Sequence, residues 1–307
     1  MNVSNEISAK LNSILEENDL AFTILKEPMK AMFKDELVET GYFALINDKS
    51  GETLNSVKEG YTVSQNDEIV LAALLGIEPF EHELSVSNAG AINGGRKIFI
   101  QLEVAGKTIM PDNDVVTRYI TIIDSNDGST GLSIGVGTLT MSCQNQFWKF
   151  YKSGSMKARH TQSIEEKIKA LPNLITEAID NSLDLTEKFK IMHKVKADKN
   201  LIDGLVNHLV GADYSMTTAQ LDETPTRRLN TMNALYKHIK SEMSTKGQNL
   251  WGLHSGITSW TTHERKTPNR VNGKIESIMM GTNQKTASKA LTFLEDYMRT
   301  QEELVTA

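Results

Sequence analysis

Cationic and aromatic side chains alternate over residues 147–160, a pattern that suits contact with nucleic acid. The segment contains, in order, Phe147, Trp148, Lys149, Phe150, Tyr151, Lys152, Lys157, Arg159 and His160. Cations neutralise phosphates while planar rings accept stacked bases, each stacked base being worth roughly 1–3 kcal/mol. A competing interpretation is that the rings pack inward and only the cations meet water. The pattern predicts a binding segment for single-stranded nucleic acid, with Trp148, Lys149, Lys152, Lys157, Arg159 and His160 as candidate residues.

Two further basic stretches qualify as phosphate-binding candidates. Residues 225–275 hold nine Lys/Arg against two Glu, although the whole chain carries a net charge of −6 and residues 1–90 hold sixteen Asp/Glu against six Lys/Arg. A basic surface facing phosphates would explain this asymmetry, and ordinary solvated faces are the alternative. From this stretch the candidates are Arg227, Arg228, Arg265 and Lys266. Arg96 and Lys97 follow a glycine pair that would let backbone approach a ligand closely, so both join the set.

An enzymatic interpretation competes with simple binding. Polar residues scattered along the chain could converge in space and act on nucleic acid or a small molecule. The residues considered for this role are Arg96, Asp124, Asp127, Asn145, Arg159 and His160. Their catalytic roles stay unassigned, because no spacing among them matches a known catalytic motif.

Several familiar sites are excluded by spacing. A calcium loop starting at Asp124 fails because its fifth and twelfth positions are glycines, Gly128 and Gly135, so a tight turn explains the segment better. The 135–140 segment lacks the third glycine of a dinucleotide fingerprint, and the chain has no P-loop. Cys143 is interpreted as a buried thiol at a strand-to-helix junction, with Asn145 capping the following segment. Seven histidines form no metal-binding motif, and we expect neither metal nor cofactor.

The elements that must position these residues are predicted from periodicity. An amphipathic helix is predicted over residues 5–20, a hairpin over 42–57, a helix over 67–76, and strands over 96–104, 117–123 and 133–141 around an Asn126-Asp127-Gly128 turn. Helices are predicted from Ser163 onward, with Pro172 marking a break or the first turn of a second helix, and over 184–196, 200–210, 217–221, 226–244, 250–263 and 284–300. The fold class is α+β, with a curved, mostly antiparallel sheet in the N-terminal half packed with a helical C-terminal half. The expected regions are a helical segment over 1–41, a β-rich region over 42–160 and a helical region over 161–307.

Composition gives the broad class. The 307 residues are 39% hydrophobic and 23% charged, values typical of globular proteins. No apolar run reaches the length of a membrane span, the N-terminus lacks the features of a signal peptide, and a single cysteine excludes an internal disulfide. We therefore expect a soluble cytoplasmic protein with no membrane partner.

The chain also resembles the phage- and plasmid-like proteins that carry domain of unknown function 932. The resemblance rests on residues 44–66, 94–97, 124–129, 143–145, 159–161, 251–260 and 270–294, in that order. It implies a phage- or plasmid-encoded protein in the host cytoplasm, often encoded among replication and recombination functions, with no chemistry attached. The family usually has Asn, Glu and Asp at positions 255, 259 and 262, where this chain has Ser255, Ser259 and Thr262. Segment 251–263 is therefore expected to be a packed helix with small residues at close contacts.

The leading prediction is a protein of DNA metabolism that binds DNA, single-stranded in the first instance, through basic and aromatic residues without catalysis. It would act in replication or recombination, and a homo-oligomer is compatible with the sequence. The alternatives are the enzyme described above and a host-interaction factor, such as an inhibitor of a host defence system.

Overall fold

The computed structural model describes residues 4–80, 82–150, 157–211, 226–270 and 273–306. The strands are β1 (Ile24–Phe33), β2 (Glu36–Asn47), β3 (Thr53–Lys58), β4 (Leu84–Ile92), β5 (Lys97–Ile109), β6 (Val115–Ser125), β7 (Leu132–Thr140), β8 (Gln146–Phe150) and β9 (Lys157–Ala158). The helices are α1 (Asn5–Glu17), α2 (Asn66–Ile77), α3 (Ile164–Lys194), α4 (Lys199–Val210), α5 (Thr226–Lys246), α6 (Leu250–Ser259), α7 (Gly273–Met279) and α8 (Thr282–Thr306). A 3₁₀ turn, Glu78–Phe80, follows α2, and a π-helical turn, Trp260–Glu264, continues α6. None of these helices is long and apolar enough to cross a membrane.

The strands form two antiparallel sheets. The first has the order β1-β2-β3, and the second has the order β4-β5-β6-β7-β8 with β9 pairing to β7. From β1 to β3 and from β4 to β8, consecutive strands pair, as expected for antiparallel strands that are joined by short connections. The turn that contains Asn126, Asp127 and Gly128 joins β6 to β7, with Ile123 opposite Ser133. The α+β class is confirmed, with two sheets in place of the single curved sheet expected.

Both faces of the six-stranded sheet are covered. One face contributes Ile100, Ile120 and Val136 to a large apolar cluster that also takes side chains from α2, α3, α5, α6 and α8. The opposite face contributes Phe99 and Trp148 to a smaller cluster, which α7 closes with Ile278 and Met279. The two halves of the chain therefore share a core, and the central strands carry apolar residues on both faces.

Three local predictions are wrong. Residues 1–41 are helical only in α1, because β1 and β2 begin at Ile24 and Glu36. Gln146 begins strand β8 and not a helix, so Cys143 and Asn145 lie in a strand-to-strand turn and Asn145 caps no helix. Pro172 does not break α3, which continues to Lys194.

The continuity of α3 through Pro172 has an energetic reason. Proline inside a helix costs about 3 kcal/mol through its missing N–H and its steric clash. Ile168, Leu171 and Ile175 lie on both sides of the proline and are all buried in the main cluster. Burying each such side chain is worth about 1.5–3 kcal/mol, enough together to offset the proline. The predicted helix over 217–221 lies outside the described residues.

Segment 251–263 contains a buried packing helix, as predicted. Every residue of α6 is buried, and Asn249 caps it by accepting a hydrogen bond from the Gly252 backbone N–H at 2.8 Å. A Cβ at Gly256 would lie 2.5 Å from the Cα of Ile239, so α5 and α6 approach each other too closely for any larger residue. This close contact fixes the position of α6 and of the π-helical turn after it.

Candidate functional site

The aromatic residues of β8 pack inward. Trp148 and Phe147 are each 2% exposed, on opposite faces of the strand. The indole of Trp148 lies over Gly137, where an added Cβ would come within 1.9 Å of its Cε3. Phe147 contacts the rings of Phe189 and His254 from the other side. Trp148 is therefore a core residue and not a surface for stacked bases, because helices cover both faces of the sheet. Tyr151 and Lys152 lie outside the described residues.

The lysines next to this core are held by carboxylates from the helical half. Lys149 Nζ lies 3.2 Å from Glu295 Oε1, and Lys97 Nζ lies 2.7 Å from Glu276 Oε1. Burial would raise the pKa of both glutamates, but the surrounding cations outweigh it and lower the pKa of each. Both pairs are partly shielded from solvent, so the two predicted cations are present at the site but partly neutralised.

A large cleft, here called the lysine cleft, opens beside these pairs. Its volume is about 1060 Å³, and it separates the β5–β8 region from α8 and the end of α4. The residues lining it are Lys97, Ile123, Ser129, Thr130, Ser133, Lys149, Phe150, His208, Met280, Gln284, Lys285, Ser288, Lys289, Thr292, Phe293, Glu295 and Asp296. Four lysines thus face two carboxylates. Burial, and to a smaller extent Lys289, lower the pKa of His208, so this histidine is neutral at pH 7.

A smaller concavity, here called the arginine pocket, lies at the other side of the first turns of α8. Its volume is about 310 Å³, and it is lined by Leu209, Val210, Arg227, Arg228, Thr231, Leu235, Trp260, Arg265 and Thr286. Arg265 is fixed there: its guanidinium lies 5.0 Å from the ring centre of Trp260 and donates to the Thr282 carbonyl at 3.1 Å and to Thr286 Oγ1. Among the described residues, the lining contains three arginines and no carboxylate.

The two concavities share two helices, the end of α4 and the first turns of α8. Residues that are consecutive in sequence line one or the other, namely His208 and Leu209 at the end of α4, and Lys285 and Thr286 in α8. The cations lining them are Lys97, Lys149, Lys285 and Lys289 in the cleft, and Arg227, Arg228 and Arg265 in the pocket. The structure therefore brings together members of all three basic stretches that the sequence singled out.

Other predicted residues lie elsewhere. Arg96 donates to the carbonyls of Leu54 and Thr53 and pairs with Glu52 at 2.8 Å, so it ties the two sheets together. Arg159 and Lys266 are exposed and line neither concavity. The backbone of Lys157 pairs with Ser133, a residue of the lysine cleft.

His160 belongs to a buried polar cluster. Its Nε2 lies 2.9 Å from Asp124 Oδ1, its Nδ1 lies 3.3 Å from Ser64 Oγ, and its ring stacks on Tyr61 at 4.9 Å. Ser64 donates to Asp124 Oδ2 at 2.5 Å. Burial lowers the pKa of His160, but hydrogen bonding and Coulomb attraction to Asp124 outweigh it and raise that pKa. Ser64, Asp124 and His160 are each less than 10% exposed, so the cluster is closed to substrate.

The structure brings four of the six residues considered for catalysis near one another, although Asp124 and His160 are buried. Besides the Asp124–His160 contact, the Arg96 carbonyl accepts hydrogen bonds from the Asn126 and Asp127 backbone N–H groups, so Arg96 and Asp127 lie near this cluster. Asn145 lies apart, donating to the Ser255 carbonyl at 3.2 Å.

Cys143 is half-buried, and burial followed by Glu242 raises the pKa of its thiol, which disfavours a nucleophilic thiolate. Over the described ranges, no three His, Cys, Asp or Glu side chains converge as a metal site would require.

Sequence reasoning missed Lys285, Lys289 and His208. The two lysines are four residues apart and therefore share one face of α8. Such an i, i+4 lysine pair in the predicted helix 284–300 was the available signal, but a lysine pair on a helix is most often only a solvated surface. Only the position of α8 over the sheet gives the pair its significance.

Comparison with known proteins adds the family. The family model described as domain of unknown function (DUF932) matches residues 53–301, most of the chain. No curated protein and no solved structure matches this chain. The match covers the six-stranded sheet, the lysine cleft and the arginine pocket, and begins after β1 and β2. The chain belongs to the family defined by this domain of unknown function.

Proposed function

We propose that the protein binds single-stranded nucleic acid, DNA in the first instance, with the strand lying in the lysine cleft and reaching the arginine pocket. The observation that carries the proposal is the convergence of seven cations from distant parts of the chain on two adjoining concavities. A continuous row of cations in a groove is the arrangement that tracks a phosphate backbone. The net charge of −6 does not oppose it, because local potential governs the encounter.

The shape of the site favours a single strand over a duplex. The cations line concave surfaces, whereas proteins that read double-stranded DNA commonly insert a helix into its major groove. Phe150 and Phe293 both line the lysine cleft and are partly exposed, so they take over the stacking role first assigned to Trp148. Unpaired bases present the flat faces that such rings accept.

The ion pairs at the site set the expected strength of binding. Lys149 shares Glu295 with Lys188, and Lys97 shares Glu276 with Arg270, so a phosphate must compete with these carboxylates. Lys285 forms no ion pair within the described part of the chain, and Lys289 donates to the His208 carbonyl at 2.6 Å. We therefore expect moderate affinity, carried by Lys285, Lys289 and the arginines, that weakens steeply with salt.

Fluorescence anisotropy with a labelled single-stranded DNA oligonucleotide tests the proposal. For a single strand, the logarithm of the binding constant falls with the logarithm of salt concentration by about 0.7 per neutralised phosphate. Lys285→Ala combined with Lys289→Ala should reduce that slope by about 1.4 and weaken binding. Lys169→Ala, an exposed lysine of α3 outside both concavities, is the matched control and should change neither value.

A substitution of opposite sign sharpens the test. Asp296 is exposed and lines the lysine cleft, so Asp296→Asn removes a negative charge without disturbing the core. Binding should become tighter, because one repulsive charge beside the phosphates is lost. Absence of binding by the wild-type protein at low salt, or a wild-type salt slope in the double lysine variant, would sink the proposal.

The cellular setting belongs to the same proposal. We infer a phage- or plasmid-encoded protein of the host cytoplasm that acts on DNA during replication or recombination. The family resemblance supports this setting. The buried Ser64–Asp124–His160 cluster supports no catalytic step, so the proposed activity is binding or strand annealing.

A further inference from the structure

We propose that the arginine pocket is a specific site for a phosphate monoester, the group found at the end of a nucleic-acid strand. The inference rests on the proposed function for the source of this phosphate, because the pocket adjoins the cleft in which the strand would lie. The site itself is argued from its own charge, donors and walls.

The arginine pocket carries positive charge that the described residues do not compensate. Arg227, Arg228 and Arg265 line a pocket of about 310 Å³ whose described lining residues include no carboxylate, whereas the lysine cleft contains Glu295 and Asp296. None of these three arginines forms an ion pair within the described residues. A phosphate monoester carries up to two negative charges at pH 7 and a backbone diester carries one. The site with the greater uncompensated positive charge is therefore best matched by the monoester.

The Arg265 side chain is preorganised to bind an anion. The Arg265 guanidinium is held over Trp260 and uses one nitrogen, Nη1, to donate to Thr282 and Thr286. Its Nε and Nη2 groups have no hydrogen-bond partner in the described structure and remain as a fork of donors. Guanidinium forks bind phosphate oxygens in pairs, and a side chain already fixed by packing loses little entropy on binding.

Apolar side chains form part of the wall of the pocket. Leu209, Val210 and Leu235 line it together with the ring of Trp260. Apolar walls lower the local dielectric and strengthen the attraction between the guanidiniums and an anion. A volume of about 310 Å³ is at the lower end of the range for small-ligand sites, which suits a terminal nucleotide rather than a longer segment.

The test compares three oligonucleotides of one sequence, with a 5′-phosphate, a 3′-phosphate or no terminal phosphate, bound to the full chain at one fixed salt concentration. We expect one phosphorylated end to bind at least about tenfold more tightly than the unphosphorylated strand. Arg227→Ala combined with Arg228→Ala should abolish that preference. The two side chains lie at the start of α5 outside the core, so the variant should fold. Lys266→Ala, an exposed cation beside Arg265 that does not line the pocket, is the control and should retain the preference.

A second measurement uses inorganic phosphate as the probe, without nucleic acid. Phosphate should raise the melting temperature of the wild-type protein above its value in chloride at equal ionic strength, but not that of the double arginine variant. If the three oligonucleotides bind equally, the inference is overturned while the proposed function stands. If no oligonucleotide binds and inorganic phosphate still stabilises only the wild-type protein, the pocket serves a free phosphate compound and the proposed function falls. If no oligonucleotide binds and inorganic phosphate stabilises neither the wild-type protein nor the variant, both are refuted.

Discussion

Substituting Gly137 by alanine tests the close contact that makes Trp148 a core residue. A Cβ at this position would lie 1.9, 2.2 and 2.6 Å from Cε3, Cζ3 and Cδ2 of Trp148, at its closest about 1.5 Å inside the 3.4 Å at which ordinary contact begins. The indole cannot move outward, because Ile278 and Met279 of α7 close its cluster. The strand must therefore shift or the ring must leave its position.

The expected cost follows from these contacts. Overpacking a dense core costs about 1–3 kcal/mol, and a collision with an enclosed ring belongs at the upper end. Alanine also has less conformational freedom than glycine in the unfolded chain, and this difference stabilises the folded state by about 0.4–1 kcal/mol. We expect Gly137→Ala to lower the free energy of unfolding by about 2 kcal/mol. Gly60→Ala is the matched control, since nothing lies within 4 Å of an added Cβ there and its φ is not positive.

Urea denaturation monitored by tryptophan fluorescence measures the effect. The midpoint should fall for Gly137→Ala with an unchanged slope. For Gly60→Ala, the free energy of unfolding should stay within about 0.5 kcal/mol of the wild-type value or rise slightly. Trp148→Phe in the Gly137→Ala background should recover part of the loss, because the smaller ring makes room for the new methyl group. Equal midpoints for the two alanine variants, or no recovery in the double variant, would refute the close contact between Gly137 and the Trp148 ring.

Other predictions concern buried titratable groups. Burial lowers the pKa of His254 to about 4. The folded protein should therefore lose up to about 3 kcal/mol of stability as the pH falls from 6.5 toward 4. Denaturation at several pH values should show this loss as a difference between the wild-type protein and His254→Phe. The pKa of His160 is raised by its contact with Asp124, so its stabilising contribution is complete below pH 6.5 and declines above it; a stability difference between wild type and His160→Gln that grows with pH would contradict this. Lys246 and Asp114 form a buried ion pair, and Lys246→Met should lower the unfolding free energy by about 3–5 kcal/mol in thermal or urea denaturation, because a buried carboxylate loses its counter-charge; a loss below about 1 kcal/mol would show that Asp114 is solvated.

Local sequence signals were enough for most of the secondary structure. The Asn126-Asp127-Gly128 turn and the β-branched residues on both sides predicted the β6–β7 hairpin, since turn geometry and strand preference depend on neighbouring residues. The small residues of 251–263 likewise predicted a packing helix, and Gly256 now makes that contact with Ile239. Predictions failed where tertiary packing outweighed a local preference, as at Pro172.

The candidate site was predictable only in part. Charge clustering identified the three basic stretches, because residue type alone gives the charge of each side chain. The role of each cation could not be predicted, because it depends on partners that are distant along the chain. Lys97 pairs with Glu276, and Lys149 pairs with Glu295. Trp148 shows the same limit, since an alternating aromatic residue looks identical whether its face of the strand is open or covered.

The sequence by itself therefore determined the α+β class, the hairpin turns, the helical half and the existence of an uneven charge distribution. These features arise from residues close together in the chain, whose periodicity and turn preferences act locally. Only the tertiary structure decided which aromatic rings are buried, which cations are neutralised, and that α8 joins the lysine cleft to the arginine pocket. Those outcomes depend on contacts between residues more than a hundred positions apart, which no local pattern encodes.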